Sequence, residues 1–596
     1  MSVTTGKTDA RLESASSPSG DKNENFGGGD KVIVLKIGGS TLRQIEDLPR
    51  VAGEIYRYVR QGHRVVAVVS ALIGETDQLR ASIAGVGAGL SSHHSAGVAG
   101  LGEVRAAYFL AMACDHCGVD TFVLDAKEHR MRGAGHFDDA TPVGVDQSRF
   151  AEVLSTYEAT IVPGYVALDE TGAPVLLGRG GADLTAVAIA EAVGAEQLVF
   201  ITDAGALYES DPYTPDRTFD TSARAYSRVS WSDARAAVGE PIQSKALEYA
   251  ERRQLEFHVA PLGGAPNTAI GEVTSQPAPL ERRVPTDVAV AGLGVVGEGA
   301  ALRIVGESSR WRLVKTLVSN PDKTRHRQIN PSLVTVAAGD VIDARPGVLL
   351  DLMSDGAAGL DLIRHALKSG IHVVSANKQA IADDLADLHA LASANGVVLA
   401  YSPAVGGGAP MVETARRARA AGSVAQIDAI LNGTVNYILS QMAQGQNFED
   451  ALRSAQDAGF AEADPSADLS GDDARAKVKI LAYEAFGVSA CDVELDIEPL
   501  TAEKAAGFAA AGIPVRQVAK ITPFSGGVRG VVAYQSVADD RFLGSVTGEG
   551  NALRAFVGDQ VFSCRGRGAG RAPTVESTLA DVSDIVRQTA VDGAPK

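Results

Sequence analysis

Cysteine is scarce in this chain: Cys114, Cys117, Cys491 and Cys564 are the only four in 596 residues. So few thiols cannot form a disulfide scaffold in a chain this size. Cys114-Asp-His-Cys117 has no second ligand pair nearby and follows an Ala-rich stretch. It therefore reads as buried helix thiols, and no protein-bound metal centre is expected. Basic residues are outnumbered, 55 against 73 acidic ones, leaving a net charge of −18. That argues against nucleic acid or a membrane surface as partner. No apolar run of about eighteen residues is seen, so no membrane-spanning helix is expected. Residues 1–30 are polar, without an apolar signal core, and read as a disordered tail of a cytoplasmic protein. Internal repeats are also absent.

What is present is ordinary globular material, 45% hydrophobic and 21% charged, enough for several cores. Residues 31–260 alternate apolar strands with longer Ala/Leu/Glu stretches, the pattern of a layered α/β domain. Val32–Leu35, Arg64–Val69, Ala159–Pro163 and Gln197–Ile201 are the clear strand candidates. Residues 261–285 are rich in Pro, Gly and Ser and read as a linker. A second α/β alternation occupies 286–411. Residues 412–580 form a further α+β region, helical from about 412 to 485, and 581–596 a tail.

Two nucleotide signatures of different chemistry stand at strand exits. Lys36-Ile-Gly-Gly-Ser40 offers a lysine and bared backbone N–H groups to a transferable phosphate. It is accompanied by Val68-Val-Ser-Ala-Leu-Ile-Gly, by Leu177-Gly-Arg-Gly-Gly-Ala-Asp183 and by Ile201-Thr-Asp-Ala-Gly-Ala-Leu-Tyr208. Together these segments resemble the amino acid kinase family, most closely aspartate kinases. The resemblance implies that Lys36, Gly38, Gly39 and Ser40 contact ATP phosphates, with Mg²⁺ as companion ion. It places Arg179 on the substrate carboxylate, Glu103 and Asp183 at its ammonium, and Thr202, Asp203, Tyr208 and Asp211 along the nucleotide. A carboxylate attacking a phosphate is already ionised at neutral pH, so the task is relief of anion repulsion and not base catalysis. Two departures stand out. Ala182 replaces a common serine, and Gly239-Glu-Pro241 lacks the usual lysine, for which Lys245 is the nearest substitute.

The second signature is Val288-Ala-Val-Ala-Gly-Leu-Gly-Val-Val-Gly297. In a chain with 64 glycines G-x-G-x-x-G is weak by itself, but here it joins a strand to a helix. Gly292, Gly294, Val295, Val296 and Gly297 would hold a dinucleotide pyrophosphate. The next strand ends in Ser319-Asn320, with no acid to exclude a 2′-phosphate, and Lys323 follows. The cofactor reads as NADP(H), with NAD(H) as the alternative.

Ile371-His-Val-Val-Ser-Ala-Asn377-Lys378 delivers a lysine at a strand's carboxyl end. Asp473 and Lys477 lie four apart and share a helix face, where an ammonium can stabilise a developing alkoxide. With Leu431-Asn-Gly433-Thr434, the acidic run after Ala461 and Gly566-Arg-Gly-Ala-Gly570, these blocks resemble homoserine dehydrogenase. The resemblance puts Glu462, Asp468, Gly433 and Thr434 on the amino-acid substrate, Asp473 and Lys477 at the reacting carbonyl, and Lys378 in the proton relay. Tyr401-Ser402-Pro403 departs from the common Tyr-Glu-Ala.

The expectation is therefore a three-layer kinase domain, a Rossmann domain and an α+β catalytic and dimerisation domain. They would make a bifunctional, homo-oligomeric enzyme, dimer or tetramer. Its substrates would be aspartate and aspartate semialdehyde or homoserine, in the route towards threonine and methionine. Two other readings compete. One is a working dehydrogenase beside a degenerate or other-acid kinase. The other is a glutamate kinase–acyl-phosphate reductase fusion, which needs an activated cysteine. Neither 261–285 nor the end of the chain has room for a βαββαβ regulatory module, so threonine, lysine and methionine are expected to leave the kinase unaffected.

Overall fold

Strands apolar on both faces are stable only when covered on both sides, and here they become the centres of two parallel sheets. The computed structural model describes residues 31–592 except 88, 214–219, 221, 238–241, 281–283 and 463. The tail expected over 1–30 lies outside the described residues.

The first sheet has eight strands, ordered Arg228–Ser230, Thr268–Gly271, Phe257–Pro261, Gln197–Thr202, Val32–Ile37, Arg64–Val69, Ala159–Pro163 and Thr121–Val123. All neighbours are parallel except Phe257–Pro261 with Thr268–Gly271. Helices Leu48–Arg60 and Leu101–Cys117 cover one face, and Gly181–Ala192 and Ser244–Arg253 the other. This is a three-layer α/β domain. Cys114 and Cys117 are buried in its core, where burial pushes both thiols up.

The second sheet has six parallel strands, ordered Val334–Thr335, Trp311–Leu317, Thr286–Ala291, Val348–Asp351, His372–Ser375 and Leu399–Ala400, a doubly wound dinucleotide-type arrangement. A third sheet orders Val493–Ile497, Gly527–Ser536, Val515–Phe524, Gln426–Ile430, Gly550–Val557 and Gln560–Arg567. Helices Met411–Ala421 and Asp472–Phe486 pack on it, so this part is α+β.

Three expectations need correction. The stretch read as a linker contains Thr268–Gly271, whose backbone completes the open edge of Phe257–Pro261, and Ala278–Pro279, which pairs with Arg224–Ala225. The region read as helical from 412 to 485 holds Gln426–Ile430 near the middle of the third sheet. Five residues are too short for a strand to stand out between Ala-rich helices. The region read as a tail from 581 is the second half of helix Arg571–Asp592. That helix buries Leu579, Val582 and Ile585 against the Rossmann core and Ala580 in the kinase core. The stretch Ser92–Cys117 meets the length and composition of a membrane-crossing helix, as buried core helices also do, and half of its apolar window is buried.

Candidate active sites

In the kinase sheet Val32–Ile37 lies in register between Gln197–Thr202 and Arg64–Val69. The loops after these strands therefore open on one edge, the carboxyl edge where open α/β sheets bind ligands. Thr41 Oγ1 donates to the Ile201 carbonyl at 3.2 Å and ties the Gly38–Ser40 loop to the strand beside it. Lys36 turns its ammonium to Asp183 Oδ1 at 2.6 Å, and Gln243 N donates to Asp183 Oδ2 at 3.2 Å. Asp183 stands in the first turn of Gly181–Ala192, whose N-cap Gly180 has φ +69° and no side-chain cap. Uncapped helix N–H groups thus lie beside the lysine, a setting that suits an anion.

Glu103 is 4% exposed, and its Oε2 has no hydrogen-bond partner. Burial pushes its carboxyl up to about 7, against the pull of the backbone N–H groups of Glu103 and Ala71. A buried carboxylate with a free oxygen is an acceptor open to a donor group. Arg179 is exposed and has no partner among the described residues. Thr202 Oγ1 accepts from Gly205 N at 2.9 Å, Asp203 is exposed, and Asp211 Oδ1 accepts from Tyr213 N at 3.0 Å. Tyr208, expected along the nucleotide, has a packed side chain. It is buried with Ala206, Ala223 and Ala225, and its hydroxyl donates to the Ala204 carbonyl at 3.1 Å. Lys245 does not stand in for the missing lysine, because Asp139 Oδ1 and the Ala140 carbonyl hold its ammonium, each at 2.7 Å. Gly239-Glu-Pro241 falls outside the described residues, save that Gln243 follows it.

In the second sheet Gly292 has φ +90°, and a Cβ at Gly297 would strike the Gly292 carbonyl. Nothing lies within 4 Å of the Cβ position of Gly294, where helix Val295–Gly306 begins without a side-chain cap. Val295 is exposed and Val296 half-buried, so this N-terminus is open and fits a pyrophosphate. Ser319 and Lys323 are exposed on the loop after Trp311–Leu317. Arg325 folds back on the carbonyls of Pro321 at 2.9 Å and Lys323 at 2.7 Å, while the Lys323 ammonium has no partner among the described residues. Asn377 builds the strand end: its side chain accepts from Ala380 N at 3.3 Å and donates to the Asp355 carbonyl at 2.9 Å.

Lys378, Asp473 and Lys477 come together although the first is about a hundred residues from the others in sequence. Asp473 Oδ2 lies 2.8 Å from Lys477 Nζ and its Oδ1 3.1 Å from Lys378 Nζ. Burial pushes the Asp473 carboxyl up, but the two ammonium groups outweigh it and hold the group below the usual range. Asp473 holds Lys378 above its usual range, helped by the charges of Asp468 and Glu462. Asp468 itself is raised by burial and by Asp473. Lys477 also donates to the Leu431 carbonyl at 2.7 Å. Gly433 packs where a Cβ would meet the Glu549 carbonyl, and Thr434 Oγ1 donates to the Phe460 carbonyl at 2.7 Å.

Two further residues belong to this cluster. Asn432 Nδ2 donates to Asp468 Oδ1 at 2.9 Å and to Asp473 Oδ2 at 3.0 Å. Asn551 Nδ2 donates to the Leu431 carbonyl at 3.1 Å. Asn432 adjoins the marked Gly433-Thr434 pair, and its polar side chain in an apolar setting was the available signal. Asn551 had none. The acyl-phosphate reductase reading needs an activated thiol; of the two thiols in this half, Cys564 is buried, where burial pushes it up to about 12, and Cys491 is exposed and outside the Lys378–Asp473–Lys477 contacts.

Comparison with known proteins divides the chain into three matched stretches, one for each of the three large sheets. Residues 31–260 match the amino acid kinase family, 292–402 the homoserine dehydrogenase NAD binding domain, and 410–583 homoserine dehydrogenase. A homoserine dehydrogenase of Neisseria gonorrhoeae is 32% identical over 326 residues, 52% of this chain and 74% of that protein. A protein of Pseudomonas canavaninivorans described as an NAD(+)-dependent homoserine dehydrogenase is 34% identical over 245 residues, 39% of this chain and 67% of its own length. An aspartokinase of Helicobacter pylori is 31% identical over 198 residues, 33% of this chain and 49% of the relative. The chain belongs to the homoserine dehydrogenase family and is a bifunctional enzyme, carrying a domain of the amino acid kinase family ahead of its dehydrogenase.

Proposed function

We propose that the kinase domain transfers the γ-phosphate of ATP to the side-chain carboxylate of L-aspartate. The dehydrogenase would interconvert L-aspartate 4-semialdehyde and L-homoserine, with NADP(H) preferred. The observation that carries the second reading is the Lys378–Asp473–Lys477 cluster, in which one buried carboxylate orients two ammonium groups. In reduction the nicotinamide nucleotide supplies the reducing equivalent. Lys477 stabilises the negative charge that builds on the carbonyl oxygen and provides a proton to it. Lys378, half-exposed and paired with the same Asp473, passes a proton inward. Glu462, Asp468 and Thr434 hold the substrate amino-acid end.

The Gly292–Gly297 turn and the open helix start would hold the pyrophosphate. Lys323 would take a 2′-phosphate, since no acidic residue ends the strand at Ser319. In the kinase, Lys36, the Gly38–Gly39 backbone and the uncapped helix at Gly180 would neutralise the phosphates. Glu103 would receive the aspartate ammonium and Arg179 its α-carboxylate. Mg²⁺ would arrive with ATP and screen the same charge.

Two assays test this reading on the intact protein. ATP, Mg²⁺ and aspartate should form an acyl phosphate, trapped as the hydroxamate, that Lys36→Ala and Arg179→Ala abolish. Aspartate semialdehyde should be reduced with a higher kcat/KM for NADPH than for NADH. No hydroxamate from aspartate would turn the first domain towards another acid, and clear NADH preference would remove the role given to Lys323.

A further inference from the structure

The kinase helix Leu48–Arg60 ends inside the dehydrogenase. Arg60 is 3% exposed, and among the described residues the hydrogen-bond and ion-pair partners of its guanidinium are dehydrogenase groups met across the boundary. Nη2 lies 2.6 Å from Asp581 Oδ1, 2.9 Å from Glu413 Oε1 and 3.2 Å from Asp584 Oδ2, and 3.4 Å from Ser402 Oγ. Nη1 donates to the Ser577 carbonyl at 3.3 Å. Three carboxylates thus converge on one cation. Arg416, a dehydrogenase arginine close by, is taken by Glu484 through two bonds of 2.8 and 2.7 Å. Ser402 is held in the same knot, its backbone N and its Oγ both donating to Asp581 at 2.9 and 2.7 Å. Its short side chain leaves room for the guanidinium.

Ser402 opens the turn that runs to Pro410, and that turn abuts the Gly566–Gly570 segment. Gly408 N donates to the Arg567 carbonyl at 3.0 Å, and a Cβ on Gly407 would come within 2.9 Å of the Gly568 carbonyl. On its other side Gly408 meets the kinase directly, with the Cys117 carbonyl 3.2 Å from its Cβ position. Gly568 packs on the Asn551 side chain, and Asn551 donates to the Leu431 carbonyl, the same oxygen that receives Lys477 Nζ. An unbroken series of bonds and close contacts therefore joins the end of a kinase helix to the dehydrogenase lysine.

We propose that Arg60 is a positioning residue of the dehydrogenase, supplied by the kinase domain: it anchors the 402–410 turn, and through it the Leu431 carbonyl that aims Lys477. The proposal rests on the reading of Lys477 given above. Dry, closely packed contacts transmit displacement because they leave no space to absorb it, and a misplacement of about 1 Å at the reacting atoms costs on the order of a hundredfold in rate.

The test uses the full chain and counts dehydrogenase sites by titration with NADPH. Arg60→Ala should lower kcat per titrated site on the order of tenfold to a hundredfold, with NADPH affinity and kinase kcat unchanged. Arg60→Lys should recover part of the loss, because the charge returns without the fork. Ser402→Ala, which keeps the arginine, should give a smaller loss of the same kind. A fall in total activity with kcat per site preserved would mean that Arg60 only stabilises the fold and would overturn the proposal. If Arg60→Ala does not fold, undiminished kcat per site in both Arg60→Lys and Ser402→Ala overturns it. Lys477→Ala separates the two claims: if it keeps turnover, the lysine reading fails and takes this proposal with it. If it is inactive while Arg60→Ala is fully active, only the present proposal fails.

Discussion

Asp473 accepts from Lys477, Lys378 and Asn432 at once, with hardly any exposure to solvent. Removing either lysine leaves part of a buried carboxylate uncompensated, so the two are not equivalent to surface ion pairs. Lys477→Ala should lower dehydrogenase kcat by roughly 10²–10⁴ while NADPH binding persists, since the lysine acts on the carbonyl oxygen; fluorescence titration and steady-state rates separate the two. Glu103 yields a pH prediction. Its carboxyl, raised by burial to about 7, must be ionised to pair with a substrate ammonium. The KM for aspartate should therefore fall as pH rises from 6 to 8, and Glu103→Gln should raise KM and flatten that dependence. The linked stability has the opposite sense. A raised folded pKa means that the folded state binds the proton more tightly, so the contribution of Glu103 is fully present below the ordinary carboxylate range and is lost as pH rises through about 7. Denaturant midpoints of the wild type and Glu103→Gln across that interval would show it.

At the scale of single elements, both sites depend on glycines whose backbones other atoms approach. Gly297 is the sharpest case, because its Cβ position is occupied by the Gly292 carbonyl. Gly297→Ala should open the strand–helix turn and weaken nucleotide binding by at least tenfold, on the order of 1–3 kcal/mol of overpacking, with kinase activity unaffected. NADPH affinity equal to wild type would show that the turn tolerates the methyl. The strands carrying these turns were readable because they are apolar and end in Gly-rich segments. Val32–Ile37, Arg64–Val69, Ala159–Pro163 and Gln197–Thr202 form at or within two residues of the expected places. Helix Asp472–Phe486 likewise places Asp473 and Lys477 on one face, bounded by Gly471 and Gly487 at positive φ. Thr268–Gly271 and Gln426–Ile430 were not readable. Four or five residues carry too little periodicity, and what makes them strands is a neighbour's unpaired backbone.

Across the whole molecule the two enzymes share a buried, highly charged boundary. Beside Arg60, Arg303 pairs with Glu576 and Glu307, Arg310 with Glu307 at 2.7 Å, and kinase Arg50 lies 3.9 Å from Glu307. Arg587 of the last helix donates to the carbonyls of Gly263 at 3.0 Å and Gly264 at 3.2 Å, within the stretch read as a linker. Separating the halves would leave Glu413, Asp581 and Asp584 without Arg60. The boundary pairs these carboxylates and buries apolar groups such as Ala580, and both contributions are lost when water reaches it, so residues 286–596 alone should melt at least roughly 5 °C below the dehydrogenase transition of the full chain. Scanning calorimetry of both proteins checks this, and equal melting temperatures would mean that the boundary adds nothing to stability.

By itself the sequence determined the α/β class of both halves, the two nucleotide-type turns, and the pairing of Asp473 with Lys477. Each follows from short-range rules: strand apolarity, glycine geometry and the helical repeat act over a few residues. Tertiary structure alone decided that Lys378 joins that pair, that Asn432 and Asn551 brace it, that Asp139 takes up Lys245 and that the Tyr208 hydroxyl bonds the Ala204 carbonyl. It also decided that Arg60 is buried among dehydrogenase carboxylates. An isolated arginine near the end of a helix carries no local mark of its partner. The free energy of burying a charge is set by which opposite charges the fold brings to it, and those lie more than three hundred residues away along the chain.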